Sequence, residues 1–326
     1  MPEFRTVLAP QKQENQIDYQ SKVILFGSCF TEHINQKLEY FKFDTLPNPF
    51  GIVFNSSAIN TAVNHCVINK VYAQADLKQH GELWFSFNHH SQFSSADLAK
   101  TLAEINSNIS KAHQFIKKAT HIVITLGTAW VYTYNNTAKI VANCHKIPQQ
   151  KFTKSLQSIA AITNDLDGIY TAIKTINPKA NLLFTVSPIR HLRNGFAENN
   201  WSKAHLIAAI QQHVSQQKDC FYMPIYELMM DDLRDYRFYE ADMIHPNATA
   251  LNYIWDFFKA SYLSDKVIPL MKEIDRLQKD LQHRPFNRNT DAYREFRLHL
   301  DEKMAKLTAQ HPSIKFAFGL MVLMAV

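Results

Sequence analysis

Short apolar runs alternate with longer segments of helical periodicity through the first 265 residues of the chain. Residues 23–26 are four apolar residues in succession, which is typical of a buried strand in a parallel sheet. From Phe30 onward, apolar side chains recur at the spacing of an amphipathic helix. Further strands are predicted just before Pro47, as an aromatic strand or hairpin at 81–93, and at 121–128, 181–186 and 220–223, with further helices at 56–69, 97–118, 153–176, 202–217 and from about 249. This alternation predicts an α/β protein, a three-layer α/β/α sandwich around a mostly parallel sheet.

The pattern changes after residue 265. Residues 266–310 are rich in charge, contain no glycine and have helical periodicity with a break around Pro285. We therefore expect an α/β domain at 1–265 and a helical extension at 266–326 that packs on it or extends from it, and that could join two copies of the chain in a homo-oligomer. The apolar stretch 316–326 is too short to span a bilayer as a helix, so we expect it to pack as a terminal strand or helix.

Composition narrows the class of partner. The chain has 326 residues, of which 46% are apolar and 20% charged, an ordinary globular composition. Its net charge of +6 comes from lysines and arginines that are spread along the chain, so no nucleic-acid groove is expected. The four cysteines form no CxxC pair and the first residues contain no apolar signal segment, so reduced thiols and a cytoplasmic location are expected.

No cofactor, metal or membrane span is expected from the sequence. The adjacent histidines His89 and His90 are candidate metal ligands, but no further ligand stands at the spacing of a metal site. A surface or core-edge position is the favoured interpretation of this pair.

Ser28 stands where the first predicted strand ends and the first helix begins. In open α/β sheets, ligands bind beyond the carboxyl ends of the strands. A helix N-terminus also offers free N–H groups and a positive dipole end to a developing oxyanion. Ser28 is therefore a candidate nucleophile, and the alternative is a serine that caps the helix, since serine is a favoured N-cap residue.

The segment Asp242-x-x-His245-Pro246 can supply a base for this serine. In a loop before a helix, the carboxylate can face one imidazole nitrogen and leave the other free for a nucleophile. The alternative is an aspartate that caps a turn beside a surface histidine. Both motifs fall in loops at the carboxyl edge of the predicted sheet, which favours the catalytic interpretation.

Six short motifs between residues 27 and 246 form a set. They are Gly27-Ser28-Cys29-Phe30, Asn48-Pro49-Phe50-Gly51, Leu126-Gly127-Thr128, Asn143-Cys144-His145, Ser187-Pro188-Ile189-Arg190-His191 and Asp242-x-x-His245-Pro246. Over roughly residues 1–265, the set resembles the GSCFA family of the SGNH (GDSL-like) hydrolase superfamily. The resemblance implies a flavodoxin-like sandwich and ester or thioester chemistry. It also implies that Ser28 is the nucleophile, His245 the general base and Asp242 the residue that orients the base.

The same resemblance implies an oxyanion hole with three donors. The first is the N–H of Ser28, the second a glycine of the second conserved block, and the third an asparagine side chain of the third block. Gly51 matches the glycine best, with Asn48 and Asn55 as neighbouring alternatives.

The third block departs from the superfamily pattern. Gly127 is followed by Thr128 and Ala129, where the pattern has Gly-x-Asn. The third donor is therefore either Thr128, through its hydroxyl or backbone, or Asn143 from the inserted stretch 130–150. The loss of one donor typically costs about 2.7–4 kcal/mol of transition-state stabilisation.

Other polar side chains near the same edge are candidate substrate ligands. Arg190, with Arg193 as the alternative, could hold a carboxylate or phosphate through its guanidinium, or could form a surface ion pair. Asn48, His145 and His191 complete the predicted substrate-binding set.

A cysteine nucleophile is a less favoured alternative. Cys29 directly follows Ser28, so we expect its side chain to pack between sheet and helix as a small hydrophobe. Cys144 stands beside His145, but neighbouring side chains in an extended segment point apart.

The sequence thus predicts a serine-dependent ester hydrolase that acts on a small-molecule or carbohydrate ester through an acyl-enzyme. O-acyl transfer to a sugar acceptor is the near alternative, with a platform of aromatic side chains from the inserted segments: Trp84, Phe85, Trp130, Tyr132 and Tyr134. A non-catalytic binding or scaffold module that kept the fold is the alternative from another class. The altered third block favours that module, and the intact set of Ser28, Asp242 and His245 opposes it.

Overall fold

Parallel strands form the centre of the computed structural model, which describes residues 5–283, 285–287 and 289–316. In chain order the strands are β1 (Lys22–Gly27), β2 (Asp44–Pro47), β3 (Lys78–His80), β4 (Leu83–Phe85), β5 (His121–Leu126), β6 (Trp130–Tyr134), β7 (Lys139–Val141), β8 (Phe152–Leu156), β9 (Asn181–Val186) and β10 (Cys220–Met223). Five of them make one parallel sheet in the order β2-β1-β5-β9-β10.

Helices connect these strands and follow them. In chain order they are α1 (Cys29–Tyr40), α2 (Ser56–Val67), α3 (Leu98–Ile116), α4 (Ile159–Ile176), α5 (Phe196–Val214), the short α6 (Ile225–Glu227), α7 (Ala248–Tyr262), α8 (Ile268–Gln282) and α9 (Asp291–Gln310).

The helices cover both faces of the sheet. Alternate side chains of a strand point to opposite faces, and in β1 Ile24 and Phe26 pack with α2, α3, α4 and α5. Val23 and Leu25 pack with α1 and α7 on the other face. Burial on both faces explains why these strands are continuous apolar runs. The prediction of a three-layer α/β/α sandwich is confirmed.

The strand order contains one change of direction. Numbered among themselves, the five parallel strands lie in the order 2-1-3-4-5, which is the flavodoxin-like order. The chain leaves β1 for β2 on one side and returns to β5 on the other. The crevice that such a fold offers to a ligand therefore lies at the carboxyl ends of β1 and β5.

The predicted helix at 153–176 is wrong in its first part. Residues of β8 pair antiparallel with β6, which also pairs with β7, in a small three-stranded sheet. Alternate residues of β8 are less exposed, as expected for a strand with one covered face. The stretch 130–150, predicted as an insertion, supplies the other two strands of this sheet, and α4 begins after its N-cap Ser158.

The predicted helix at 202–217 begins and ends earlier than expected. Gly195 precedes α5, which starts at Phe196 and ends at Val214. The amphipathic pattern that guided the prediction is weak in the first turn, where Phe196 is exposed.

The helical extension is present as α8 and α9, with a break between residues 282 and 291. They pack on each other through a separate cluster that includes Ile274, Leu277, Leu300, Met304 and Leu307. Gln278 of α8 donates to the carbonyl of Tyr40, which ties the extension to α1. The domain boundary near residue 265 and the homo-oligomer stay predictions.

The predicted apolar end, 316–326, is described only at Phe316, which is 5% exposed and packs in the same cluster. Residues 317–326 lie outside the described residues. Within the part of the chain that is described, no helix has the length and apolar character needed to cross a bilayer.

Candidate functional site

The junction of β1 and α1 is built on a close backbone approach. Gly27 has φ +147°, and a Cβ atom on it would lie 2.3 Å from the carbonyl oxygen of Thr125 in β5. Only glycine fits such a position without strain. The close approach places the next residue, Ser28, at the carboxyl edge of the sheet, beside the ends of the neighbouring strands β1 and β5.

The Ser28 hydroxyl is buried and free. Ser28 is the N-cap residue of α1, yet its side chain accepts no bond from the first helical turn. The residue is 2% exposed, and its Oγ has no hydrogen-bond partner among the described residues. Other polar N-cap side chains do accept a backbone N–H: Asn55 of α2, Asp97 of α3, Ser158 of α4, Asn247 of α7 and Thr290 of α9. The capping alternative therefore does not describe Ser28.

Asp242 and His245 form a local pair in the loop before α7. One carboxylate oxygen of Asp242 accepts the backbone N–H groups of Ile244 and His245, at 2.9 and 3.0 Å, and the other lies 2.6 Å from His245 Nδ1. The backbone bond from His245, followed by the bond from its side chain, lowers the pKa of Asp242 to about 2. Asp242 is thus a carboxylate at neutral pH and can orient the imidazole.

His245 lies near two other histidines at the same edge of the sheet. Burial lowers the pKa of His33 in α1, and the charge of His245 lowers it further. Burial lowers the pKa of His191, which follows β9, and the charges of Lys203 and His245 lower it further. Because Ser28 Oγ has no partner, the His245 imidazole is not hydrogen-bonded to it in this structure. The catalytic roles of Ser28, Asp242 and His245 stay predictions.

The first two predicted oxyanion donors are engaged within the protein. The N–H of Ser28 donates to the carbonyl of Thr125 at 3.3 Å, a long bond. The N–H of Gly51 donates to the carbonyl of Asn48 at 2.7 Å. Gly51 would have to exchange this bond in order to serve an oxyanion.

Of the two candidates for the third donor, Thr128 is bonded through its hydroxyl and Asn143 through its side-chain oxygen. Thr128 Oγ1 lies 2.9 Å from Ser202 Oγ and accepts the N–H of Trp130. Asn143 Oδ1 accepts the N–H of His145 at 2.8 Å. Asn143 and His145 line a cavity of about 710 Å³ whose described lining does not include Ser28. Asn143 and His145 thus lie on one cavity, and their roles toward Ser28 stay predictions.

Asn48 forms hydrogen bonds that hold the backbone around Ser28 in place. Its Oδ1 accepts the N–H of Gly27 at 2.9 Å, its Nδ2 donates to Glu32 of α1, and its own N–H donates to the carbonyl of Leu25. Asn48 thus fastens its loop to the end of β1. Asn55, the other alternative in this loop, caps α2 with its side chain.

Arg190 is a cation at the edge of the site. Its Nη2 lies 3.1 Å from Met230 Sδ, and its buried Nε has no hydrogen-bond partner among the described residues. Burial raises the pKa values of Tyr226 and Tyr239, and the charge of Arg190 opposes that rise. Arg190 therefore lies beside both tyrosines and keeps part of its donor capacity free.

Lys203 is a residue of the site that sequence reasoning missed. It is 1% exposed, and its Nζ donates to the carbonyls of Gly127 and Ser187 at 2.7 Å each, so it joins the segments that follow β5 and β9. Burial lowers its pKa to about 7. A signal was present, because Lys203 precedes Leu206 and Ile210 by three and seven residues on the buried stripe of α5.

His191 faces Gly127, the glycine of the third block. A Cβ atom on Gly127 would lie 3.1 Å from His191 Nε2 and 2.9 Å from Cβ of Phe54. The Nε2 atom is buried and has no hydrogen-bond partner among the described residues. Burial, reinforced by the charges of Lys203 and His245, lowers the pKa of His191 to about 4. The ring is therefore neutral at neutral pH.

The cysteines lack the features of a nucleophile. Burial raises the pKa values of both Cys29 and Cys144, which disfavours the reactive thiolate. Cys29 packs against the core on the α1 and α7 face of the sheet. Among the described residues, no group of three or more His, Cys, Asp or Glu side chains could hold a metal ion.

Two solved structures illustrate the similarity of the chain to known proteins. An acetyl xylan esterase from the rumen bacterium Butyrivibrio proteoclasticus matches with a TM-score of 0.39 and 9% identity, over 76% of this chain and 65% of the esterase chain. A carbohydrate esterase of family 3 from Talaromyces cellulolyticus matches with a TM-score of 0.35 and 10% identity, over 78% of this chain and 99% of the other. Comparison with curated proteins gives no match.

Two family models match the sequence itself. The model described as the GSCFA family matches residues 22–258, and the model described as the C-terminal domain of GSCFA domain proteins matches residues 274–319. The first match spans well over half of the chain and contains all six motifs. The chain therefore belongs to the GSCFA family.

Proposed function

We propose that the protein is a serine-dependent ester hydrolase in which Ser28 forms an acyl-enzyme. The observation that carries the proposal is the free, buried hydroxyl of Ser28 at the switch point of the sheet. A hydroxyl that neither caps its helix nor bonds to a neighbour is a costly feature of a protein interior, and a nucleophile accounts for it. The ionised Asp242 and its bond to His245 supply the remaining parts of a triad.

The reaction proceeds in two transfers of the acyl group. Ser28 Oγ attacks the ester carbonyl carbon while His245 takes the hydroxyl proton, and the alcohol leaves with that proton as the acyl-enzyme forms. A water molecule then attacks the acyl carbon and gives a proton to His245. The acid is released, and the proton returns to Ser28.

Proton transfer requires His245 to reach Ser28. A base must come within about 3 Å of the hydroxyl, or within one water molecule of it, and this contact is often longer before substrate binds. The Asp242 and His245 side chains are 46% and 45% exposed, so little packing restrains these two side chains. We therefore expect the pair to move as a unit when the site closes on substrate.

Acyl transfer to a sugar hydroxyl is the second candidate function. Phe196 and Trp201, which are 68% and 57% exposed, lie in the first turns of α5, beyond the carboxyl end of β9. Flat aromatic faces of this kind are suited to stacking on a sugar ring. Acylated glucose among the products of a reaction with p-nitrophenyl acetate and glucose would favour transfer over hydrolysis.

A fluorophosphonate probe tests the proposed function. The native chain is expected to form a stable adduct, Ser28→Ala none, and His245→Ala an adduct at a much lower rate, because the serine then lacks its base. A native chain without adduct contradicts the proposal, as does labelling that survives in Ser28→Ala.

A further inference from the structure

Three of the residues predicted for the oxyanion hole, Ser28, Gly51 and Thr128, are hydrogen-bonded within the protein. The superfamily pattern expects an asparagine two residues after the third-block glycine, and that position is Ala129. Ala129 is fully buried, and its N–H donates to Ser202 at 2.7 Å. Thr128 is bonded to the same hydroxyl. An ester hydrolase at this site needs a donor from another element.

We infer that His191 supplies this donor through Nε2–H, from the loop after β9, in place of the asparagine that the third block lacks. The inference rests on the proposed function and assigns to His191 a role in binding the oxyanion. His191 then touches the reacting atoms, so it is a catalytic residue in the strict sense.

The position of His191 favours this role. Its Nε2 is 3.1 Å from the point where a side chain on Gly127 would begin, so it occupies the space above the third-block glycine. Gly127 lies two residues beyond Thr125, the β5 residue that pairs with Gly27. The imidazole is thus held at the carboxyl ends of the two strands that flank the switch point, where Ser28 also lies.

Nε2 is free to donate. It is a buried nitrogen without a hydrogen-bond partner among the described residues. Leaving a buried donor unpaired is unfavourable, and a substrate oxyanion would relieve that penalty only as negative charge develops on it. Donors that become satisfied in the transition state are the ones that accelerate a reaction.

The ring is fixed before substrate arrives. The His191 backbone N–H donates to Asn199 Oδ1 of α5 at 2.8 Å, and the imidazole packs against Phe54 with 5.4 Å between ring centroids. Lys203 binds the carbonyls of Gly127 and Ser187, which holds the ends of the two loops together. Lys203 is therefore a positioning residue, and the donor needs little reorganisation during the reaction.

The charge state of His191 fits a donor rather than a base. Its pKa of about 4 leaves the imidazole neutral above pH 5, with one nitrogen protonated. A neutral imidazole can polarise a carbonyl through its N–H, as the histidine of lowered pKa does in triosephosphate isomerase. Such a ring is a poor acceptor of the Ser28 proton, which leaves that role to His245.

Two substitutions of His191 separate a donor from a packing residue. His191→Phe keeps a ring against Phe54 but removes the N–H, and His191→Gln keeps an amide N–H donor. With p-nitrophenyl acetate, we expect His191→Phe to lose about 10²–10³-fold in kcat with KM within about threefold. We expect His191→Gln to stay within about tenfold of the native kcat.

His205→Phe serves as the matched control, because His205 is another half-buried histidine of the α5 region that packs against an aromatic side chain, Trp201. Its kcat should equal the native value. Thermal unfolding of each variant shows whether it is folded.

The outcomes distinguish the two proposals. A native kcat in His191→Phe, or a loss in His191→Gln as large as that in His191→Phe, overturns the donor role while Ser28-dependent acylation leaves the proposed function standing. Absence of Ser28-dependent acylation in the native chain overturns both.

Discussion

Ser28 and Ser158 occupy the same structural position in two different helices. Each is the N-cap residue of its helix, with φ −73° and ψ 175° at Ser28 and φ −71° and ψ 160° at Ser158. Ser158 is exposed, and its hydroxyl accepts the N–H of Ala161 at 3.1 Å. Ser28 is buried, and its hydroxyl has no hydrogen-bond partner in the described part of the chain. The residue type and the backbone conformation are alike at the two positions, so they do not account for the difference in hydrogen bonding between the two hydroxyls.

The difference follows from what precedes each helix. Ser158 follows β8, which belongs to the small antiparallel sheet, so its helix end faces water. Ser28 follows β1, at the switch point of the parallel sheet, where the loop of Asn48 covers the helix end. The hydroxyl of Ser28 thus does not cap α1, and the proposed role as a nucleophile accounts for this difference from Ser158.

The largest expected effect is a fall in kcat, and it comes from changes to the Asp242–His245 pair. Asp242→Asn removes the carboxylate that orients His245, and we expect kcat for p-nitrophenyl acetate to fall by about 10⁴-fold, as in other triads. Asp235→Asn is the control, since that aspartate lies in the same loop and its carboxylate bonds, among the described residues, to Arg237. Equal activity of the two variants would contradict the role of Asp242.

Lys203→Met should change how stability depends on pH. In the folded chain the pKa of Lys203 is about 7, below its ordinary 10.5, so between pH 7 and 10.5 the unfolded chain binds the additional proton. The free energy of unfolding therefore rises with pH in that window through this group, by about 2 kcal/mol from pH 7 to pH 9. Urea unfolding at both pH values should show that rise reduced in Lys203→Met.

Lys111→Met provides the reference for this measurement, because Lys111 is exposed on α3. The rise from pH 7 to pH 9 should keep its native size in Lys111→Met. A rise of the same size in both variants would mean that Lys203 is not held in a low-dielectric site.

The smallest expected effect is on the free energy of unfolding, and it comes from replacing each of these two N-cap serines by alanine. Ser158→Ala loses a cap bond and should lower the free energy of unfolding by about 1 kcal/mol. Ser28→Ala loses no cap bond and removes an unpaired buried hydroxyl, so its free energy of unfolding should stay within about 0.5 kcal/mol of the native value or rise. Denaturant unfolding of both variants checks this, and a larger loss in Ser28→Ala would show that its hydroxyl does stabilise the fold.

The fold could be predicted from the sequence because its central strands are buried on both faces. The apolar runs at β1, β5 and β9 carry that signal directly. The predicted helix at 153–158 was wrong because a five-residue strand with one covered face has a weak period-two pattern, and a long helical pattern followed at once.

The site could be predicted only in part. Asp242 and His245 are close in sequence, so their pairing is a local property that a motif can show. The surroundings of Gly127 depend on α5 and the loop after β9, which lie more than 60 residues away along the chain. His191 was predicted as a substrate ligand and Lys203 not at all, because the unpaired nitrogen of His191 and the two carbonyl partners of Lys203 result from long-range packing that a single sequence does not show.

A peptide map of the fluorophosphonate-labelled native chain shows whether Ser28 is the nucleophile. Trypsin releases Ser28 in a peptide of residues 23–37, where it is the single serine, and releases Ser158 in a different peptide. We predict one adduct per chain, located in the peptide 23–37 at Ser28 and not at the adjacent Cys29. An adduct confined to another peptide, an adduct on Cys29, or a native chain that takes up no probe would contradict it.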